Sequence, residues 1–266
     1  MSHQWQFDGR NGRIVARIWS HENPRYLAVL AHGYGEHIGR YEYVASMLRD
    51  HGAAVYGPDH QGHGRSEGER VVVNDFENVI DDMHTVVGKA VADHPDVPIV
   101  LIGHSLGGMV AARYAQRYGA TLAALVLSGP VLGSWEPATS LLDLDEIPDN
   151  PIDVSTLSRD PEVGEAYNAD PLIWHGPFKR PLLAAVDRCL KTINASGNLG
   201  ALPTLWLHGE ADQLVPPGPS RDGVDTIAGS RLTSRMYPDA RHEIFNETNK
   251  DEVLGDVTAF IDRVLP

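Results

Sequence analysis

The pentapeptide Gly103-His104-Ser105-Leu106-Gly107 restricts the fold of this chain more than any other segment. It stands between an apolar run at 98–102, typical of a buried strand, and a run rich in small residues at 106–118, typical of a helix. A serine there occupies a tight strand–turn–helix corner, and the flanking glycines lack the Cβ atoms that would clash. Its hydroxyl is held above the sheet edge, beside helix N-terminal N–H groups. The pattern therefore predicts that Ser105 is a nucleophile.

Short apolar runs alternate with longer helical patterns along most of the 266 residues, which indicates a mostly parallel sheet flanked by helices. The predicted strands cover 13–19, 26–31, 53–56, 98–102, 122–127, 203–207 and 232–237. The predicted helices cover 41–51, 75–93, 106–118, 217–227 and 247–264. Several of these strands lack polar alternation, as expected for strands buried on both faces.

The region 131–200 breaks this alternation with seven prolines and short, mixed helical patterns. It begins after one predicted strand and ends before the next. A long surface loop is one interpretation, but structureless loops of this length are unusual in compact domains. We therefore expect a helical cap, or lid, at 131–200, inserted into one core built from 1–130 and 201–266.

The charge, cysteine content and hydropathy of the chain indicate which partners and which cellular compartment to expect. A formal net charge of −14 gives no general attraction to nucleic acid or to anionic membranes. The single cysteine, Cys189, permits no intrachain disulfide and is expected to be a small buried apolar residue. No stretch has the length and apolarity of a spanning helix, and the first ten residues lack a signal-peptide core. These features predict a cytoplasmic protein.

A nucleophilic serine needs a base and an orienting carboxylate, which follow it in the order acid, then histidine. Asp212 lies on a loop after the predicted strand 203–207, with Glu210 as the competing carboxylate. His242 lies on the loop after the last predicted strand. Although the chain has 13 histidines, His242 alone combines a late position with such a loop, and the His104 side chain is expected to point away from the serine.

An oxyanion hole requires two convergent backbone N–H groups. We expect one from Leu106, directly after the nucleophile, and one from Tyr34, between two glycines in the loop after the strand 26–31. The segment 59–66, which contains Asp59, His60 and His63, suggests a metal site at first. Its glycines favour a hydrogen-bonded turn instead, and we predict neither a metal nor a cofactor.

These segments together resemble an α/β-hydrolase of the monoacylglycerol lipase type, within the wider lysophospholipase and serine hydrolase group. The resemblance covers nearly the whole chain. It is carried by 31–37, 39–41, 59–66, 103–107, 207–212, His242 and, most specifically, 157–160 and 167–172 in the cap. It implies the α/β-hydrolase fold with a lid.

Carried over by position, the resemblance implies Ser105, Asp212 and His242 as the catalytic triad, and the Tyr34 and Leu106 N–H groups as the oxyanion hole. It also implies that a glycerol pocket is formed by Glu36, Arg40 and Tyr167. Glu36 and Arg40 could instead pair with each other, since they are four residues apart, and Tyr167 could simply pack inside the cap. The chain departs from the family at Tyr34, where a smaller or aliphatic residue is more usual, and at Phe245, where the family has a polar residue shortly after the catalytic histidine.

The predicted reaction is hydrolysis of monoacylglycerols to glycerol and fatty acid through an acyl-enzyme. The alternatives are a short- or medium-chain carboxylesterase, a lysophospholipase, an aminopeptidase, or a non-catalytic binding protein that retains the fold. We expect a small lipid or ester substrate, no nucleic acid, and at most transient contact with a membrane or micelle through the cap. Candidates for the acyl side of the pocket are Leu141, Leu142, Leu144, Ile147, Ile173, Trp174, Leu182 and Leu183.

Overall fold

A computed structural model describes residues 2–265, which fold around one eight-stranded sheet. The strands are β1 (Ser2–Gly9), β2 (Gly12–Trp19), β3 (Tyr26–Ala31), β4 (Ala53–Pro58), β5 (Ile99–His104), β6 (Ala124–Ser128), β7 (Thr204–Gly209) and β8 (Leu232–Tyr237). The α-helices are α1 (Glu42–Asp50), α2 (Phe76–Asp93), α3 (Leu106–Tyr118), α4 (Glu136–Thr139), α5 (Pro161–Ala169), α6 (Arg180–Ala195), α7 (Pro217–Ile227) and α8 (Lys250–Val264).

The strand order is β1-β2-β4-β3-β5-β6-β7-β8. The pairs β1–β2 and β2–β4 are antiparallel, and the pairs from β4 through β8 are parallel. The mostly parallel sheet and its covering helices confirm the predicted fold class. The chain runs outward from β3 to β4 and then crosses to β5 on the other side of β3, so the strand order reverses there, which is where open α/β sheets place their sites.

Strand β1 is an element that the sequence reading missed. It pairs with β2 as a hairpin closed by two residues between Gly9 and Gly12. Its side chains are exposed on one face, while Trp5 and Phe7 on the other face stack with ring centroids 4.8 Å apart. The alternation of polar residues with these aromatic ones is the signal that could have identified an edge strand.

Alternate residues of the strands pack into two separate hydrophobic cores, one on each face of the sheet. On β5, Leu101 belongs to the core that contains side chains of α2, α3, α6 and α7, whereas Ile102 belongs to the core that contains side chains of α1 and α8. The central strands are buried along their whole length. This explains why they read as continuous apolar runs without polar alternation.

The chain between β6 and β7 contains α4, α5, α6 and two single 3₁₀ turns. The helix α6 packs on α3 and places Leu182 and Leu183, both fully buried, in the same core as α2. The part before α6 lies near the carboxyl end of the sheet, where Leu157 and Tyr167 form a small apolar cluster of their own with Ile173.

Across residues 2–265, the helices are all too short or too polar to cross a lipid bilayer.

Candidate active site

Ser105 lies between β5 and α3 on a strained turn. Its φ of 56° and ψ of −122° place a non-glycine residue in a backbone region that L-amino acids rarely adopt. A Cβ at Gly103 would lie 2.3 Å from the Gly107 carbonyl oxygen, and a Cβ at Gly107 would lie 2.1 Å from the Ala31 carbonyl oxygen. Both glycines are therefore needed because the turn is packed directly against backbone.

A hydrogen-bonded chain joins the three residues that the sequence predicted as nucleophile, base and acid. The Nε2 atom of His242 lies 2.8 Å from Ser105 Oγ, and its Nδ1 atom lies 2.7 Å from Asp212 Oδ2. The three residues follow β5, β7 and β8, whose carboxyl ends meet at one edge of the sheet. All three are almost completely buried.

The Asp212 carboxylate is fixed from both sides. Its Oδ1 atom accepts hydrogen bonds from the backbone N–H groups of Leu214, at 3.0 Å, and Val215, at 2.9 Å. Burial opposes ionisation, but the neighbouring His242 and His208 outweigh it and hold the pKa of Asp212 below its usual range. The competing carboxylate, Glu210, is exposed and lies outside this chain of hydrogen bonds.

His242 has a pKa above its ordinary value. Burial lowers this pKa, yet the negative charge of Asp212 and its hydrogen bond raise it by more. His104 packs against His242 with ring centroids 4.8 Å apart, and its Nδ1 faces the Ser128 carbonyl oxygen at 3.0 Å. Burial lowers the pKa of His104 to about 4, so this second imidazole is neutral at pH 7.

The two predicted oxyanion donors flank Ser105. Leu106 is the first residue of α3, so its N–H is one of those for which a helix offers no acceptor. Tyr34 follows Gly33, and a Cβ at Gly33 would lie only 3.1 Å from Ser105 Cβ. The Gly33 N–H itself donates to Glu36 Oε1 at 2.6 Å, which leaves the Tyr34 N–H as the next donor along the loop.

A cavity of about 220 Å³ lies above Ser105 and His242. Tyr34 stacks on Phe178 with ring centroids 4.5 Å apart, and Phe178 meets Trp135 edge-on at 5.6 Å. The other apolar side chains of the wall are Pro137, Ala138, Pro151, Ile152, Leu157 and Leu214. The cavity is therefore apolar over most of its wall, with the serine at its polar end.

The wall of the cavity does not use the apolar residues that the sequence reading selected. Leu182 and Leu183 lie in the core of α6, and Leu144 is 44% exposed. The other five candidates, Leu141, Leu142, Ile147, Ile173 and Trp174, also lie outside the described lining. The wall instead contains the aromatic residues Trp135, directly before α4, and Phe178, in the loop before α6.

The polar end of the cavity is formed by Glu36, Tyr167 and Glu243. Arg40 lies behind them, outside the described cavity lining, and its guanidinium is 5.2 Å from the Tyr167 ring centroid. Arg40 Nη1 donates to Glu36 Oε2 at 2.7 Å, so the pairing that the spacing allowed is formed. Glu243, which sequence reasoning missed, follows His242 directly, and that adjacency is the signal that could have identified it.

Two buried phenol hydroxyls, those of Tyr34 and Tyr167, have no hydrogen-bond partner among the described residues. Both residues line the cavity and both side chains are buried. Buried hydroxyls are normally hydrogen-bonded. These two unpartnered hydroxyls therefore stand out among the polar groups of the residues that line the cavity.

The segment 59–66 forms a turn held by Asp59. Its Oδ1 atom accepts from the Ile38 N–H and its Oδ2 atom from the Arg65 N–H, both at 2.8 Å. The neighbouring histidines bind backbone groups rather than converging on one point. In the part of the chain that the structure describes, the histidine, cysteine and carboxylate side chains form no group of three that could hold a metal ion.

A mostly parallel sheet with a serine on a strained strand–helix turn, hydrogen-bonded to a histidine after the last strand, defines an α/β-hydrolase. Residues 22–249 match the model of the Hydrolase_4 family, described as serine aminopeptidase, S33. The chain belongs to this family.

The relatives agree with the resemblance read from the motifs. The chain is 38% identical to a monoacylglycerol lipase of Mycolicibacterium smegmatis, over 96% of this chain and 95% of that protein. It is 34% identical to the monoglyceride lipase of Homo sapiens, over 88% of this chain and 81% of that protein. The crystal structure of Paleococcus ferrophilus monoacylglycerol lipase superposes with a TM-score of 0.81 at 26% identity, covering 93% of this chain and 97% of that one.

Proposed function

We propose that this protein hydrolyses monoacylglycerols to glycerol and a fatty acid. The observation that carries the proposal is the Ser105–His242–Asp212 hydrogen-bonded chain at the floor of an apolar cavity, in a chain whose relatives are named monoacylglycerol lipases. The apolar wall suits an acyl chain.

In the proposed reaction, Ser105 Oγ attacks the ester carbonyl carbon while His242 Nε2 takes its proton. Asp212 keeps the imidazole in the tautomer whose Nδ1 carries the proton, and it stabilises the imidazolium that forms. The N–H groups of Tyr34 and Leu106 stabilise the oxyanion of the tetrahedral intermediate. His242 then protonates the leaving glycerol and later activates the water that releases the fatty acid.

The leaving glycerol is proposed to lie against Glu36 and the Tyr167 hydroxyl. Glu36 and Tyr167 are both lining residues of the cavity, and the buried Tyr167 hydroxyl lacks a protein partner among residues 2–265. Arg40 would act through these two residues, since it binds Glu36 and lies against the Tyr167 ring. This assigns the recognition of the alcohol to the polar end of the cavity and the recognition of the acyl chain to its aromatic wall.

The nucleophile is tested by Ser105→Ala. We expect the variant to turn over a 1-monoacylglycerol at least about a thousandfold more slowly, as removal of a triad nucleophile does in other serine hydrolases. Ser234→Ala, an exposed serine on β8, is the matched control and should leave the rate unchanged. A fluorophosphonate should label the wild-type protein and not Ser105→Ala. Labelling of both proteins would show that another residue is the nucleophile.

The substrate class is tested by a chain-length series of 1-monoacylglycerols against p-nitrophenyl esters of the same acids. A higher kcat/KM for the glycerol esters at equal chain length would support the polar pocket. Equal values would instead indicate a general carboxylesterase. Lysophospholipids and aminoacyl amides should be run beside them, because the family description names an aminopeptidase. Faster turnover of either would contradict the proposal.

A further inference from the structure

His32 is a buried residue to which the proposed reaction assigns no task, although it lies directly before Gly33 in the loop after β3. Its Nδ1 atom lies 2.8 Å from the Gly33 carbonyl oxygen. Its other ring nitrogen, Nε2, lies 2.9 Å from the backbone N of His60. Both nitrogens of this fully buried imidazole are thus engaged with backbone.

The two contacts together determine which ring nitrogen carries the proton. The His60 N–H can only donate, so His32 Nε2 must accept and carries no hydrogen. The proton is then on Nδ1, which donates to the Gly33 carbonyl oxygen. The ring of His60 supports the arrangement, because its Nε2 lies 3.2 Å from the His32 carbonyl oxygen.

The Gly33 carbonyl and the Tyr34 N–H belong to one peptide unit. In a planar trans peptide the C=O and N–H bonds point in opposite directions, so fixing one fixes the other. The hydrogen bond from the buried imidazole to the carbonyl therefore also sets the direction of the Tyr34 N–H. This peptide lies beside the proposed nucleophile, because the Cβ of Ser105 is 3.1 Å from the point where a Cβ of Gly33 would stand.

The neighbouring peptide is held as well. The Gly33 N–H donates to Glu36 Oε1 at 2.6 Å, and the same oxygen accepts from the Tyr41 hydroxyl at 2.8 Å. Glu36 therefore fixes the peptide before Gly33, and His32 fixes the peptide after it. Glycine would otherwise leave both peptides free to rotate.

We propose that His32 is a positioning residue for the oxyanion hole: its Nδ1–H holds the Gly33–Tyr34 peptide so that the Tyr34 N–H faces the carbonyl oxygen of a substrate at Ser105. The inference rests on the proposed attack of Ser105 on a carbonyl group. It does not depend on glycerol being the leaving group.

A neutral imidazole suits this task, since the Nε2 atom must remain an acceptor. Burial, together with the nearby His60 and His63, lowers the pKa of His32 well below its ordinary value. The same cause lowers the pKa of His60 to about 3 and that of His63 to about 4. The ring therefore keeps the same protonation through the pH range in which an esterase is assayed.

The first test uses the wild-type protein and measures the tautomer by ¹⁵N NMR of histidine-labelled enzyme, with the His32 signals assigned by their absence in His32→Asn. We expect a protonated Nδ1 and an unprotonated Nε2. A proton on Nε2, or an imidazolium at pH 7, would overturn the proposal.

The second test compares two amides that each preserve one contact. Asparagine places its NH₂ near the position of Nδ1, so His32→Asn can still donate to Gly33. Glutamine places its polar end near Nε2, so His32→Gln can accept from His60 but leaves the Gly33 carbonyl unheld. His84→Gln, at an exposed residue of α2, controls for substitution at a histidine elsewhere.

With a short p-nitrophenyl ester we expect kcat of His32→Gln to fall about ten- to hundredfold, less than the loss of a whole oxyanion donor. KM should stay within about twofold, and the acidic limb of the pH–rate profile should not move. Affinity for a trifluoromethyl ketone, which forms a tetrahedral adduct, should fall by the same factor as kcat. His32→Asn should retain a higher kcat and a higher affinity for the ketone than His32→Gln.

A rise in KM at constant kcat, a shifted acidic limb, or equal losses in the two variants would refute the positioning role. Should His32→Gln fail to fold, the NMR result on the wild-type protein still tests the Nδ1–H hydrogen bond, without which the proposal fails. Because the readouts use a simple ester, a failure of monoacylglycerol hydrolysis would leave them valid, and the two failures can be told apart.

Discussion

Arg40 binds Glu243 through two parallel hydrogen bonds, from Nη1 to Oε1 at 2.7 Å and from Nη2 to Oε2 at 2.8 Å. Its Nη1 atom also donates to Glu36 Oε2. Glu243 follows the proposed base His242, and Glu36 holds the Gly33 N–H of the proposed oxyanion loop. One guanidinium therefore joins the loops on both sides of Ser105 and balances two buried carboxylates.

Replacing Arg40 should destabilise the fold, because Arg40→Ala leaves Glu36 and Glu243 buried without a counter-charge. We expect the free energy of unfolding to fall by about 3–5 kcal/mol, as when one partner of a buried ion pair is removed. Arg40→Lys should fall between this variant and wild type, since an ammonium cannot make the paired contact. Urea unfolding at pH 7 measures the free energy of unfolding of both variants.

The control for Arg40 is Arg17→Ala, which breaks the more exposed Arg17–Glu42 pair and should cost at most about 1 kcal/mol. Equal losses in Arg40→Ala and Arg17→Ala would show that the cluster contributes no more than a surface pair.

The pH dependence of activity should follow His242, whose neutral form is the base. Burial alone would lower its pKa, but Asp212 raises it above the ordinary value of 6.5. As pH falls through this raised pKa, the imidazole is protonated and kcat/KM falls, so the midpoint of the acidic limb should lie above 6.5.

Asp212→Asn removes the charge that raises the pKa of His242, so the acidic limb should move to lower pH. Turnover at the plateau should fall about 10⁴-fold, because the wrong tautomer is favoured. Glu210→Gln, on the same loop but exposed, is the matched control and should keep the wild-type profile. An acidic limb at the same pH in wild type and Asp212→Asn would contradict the assignment of the acid.

The sequence predicted the sheet, and the structure places Ser105, His242 and Asp212 together as the motif order requires. The three residues lie together because each follows a strand in a parallel sheet, so chain position alone brings them to one edge.

The side chains of the cavity wall could not be predicted in this way. Phe178 and Trp135 lie on irregular segments, where no periodicity shows which side chains turn inward. Glu243 was missed because its partner, Arg40, is 203 residues away.

The strained turn at Ser105 makes a prediction for Gly107→Ala. The new Cβ would lie 2.1 Å from the Ala31 carbonyl oxygen and 2.4 Å from that of His32, both backbone atoms that cannot move aside locally. We expect a loss of about 3 kcal/mol or more in stability, or failure to fold. Thermal unfolding followed by circular dichroism measures the effect.

Gly88→Ala is the matched control for Gly107→Ala, because it is also a helical glycine, and a Cβ there meets no atom within 4 Å. It should stabilise α2 by up to about 1 kcal/mol through helix propensity. If both variants were equally stable, the close approach of α3 to β3 would not be a requirement of the fold.

The Glu247 carboxylate holds the loop that carries the proposed base, His242. This carboxylate is fully buried and accepts from the Arg241 N–H at 2.9 Å, the Thr248 N–H at 2.8 Å and Arg159 Nε at 2.9 Å. Burial opposes its charge, but these donors lower its pKa below the ordinary value. Because Arg241 precedes His242 directly, the carboxylate anchors the loop that presents the imidazole to Ser105.

Glu247→Gln keeps the shape of the side chain but turns one acceptor into a donor facing other donors. We expect a loss of about 2 kcal/mol in stability, as for a buried hydrogen bond to a charged group. A fall of about ten- to hundredfold in kcat should accompany it, since a small displacement of His242 lengthens its contact with Ser105. Glu252→Gln, an exposed residue of α8, should change stability by less than about 0.5 kcal/mol. A Glu247→Gln variant with full kcat but reduced stability would show that this carboxylate supports the fold without orienting the base.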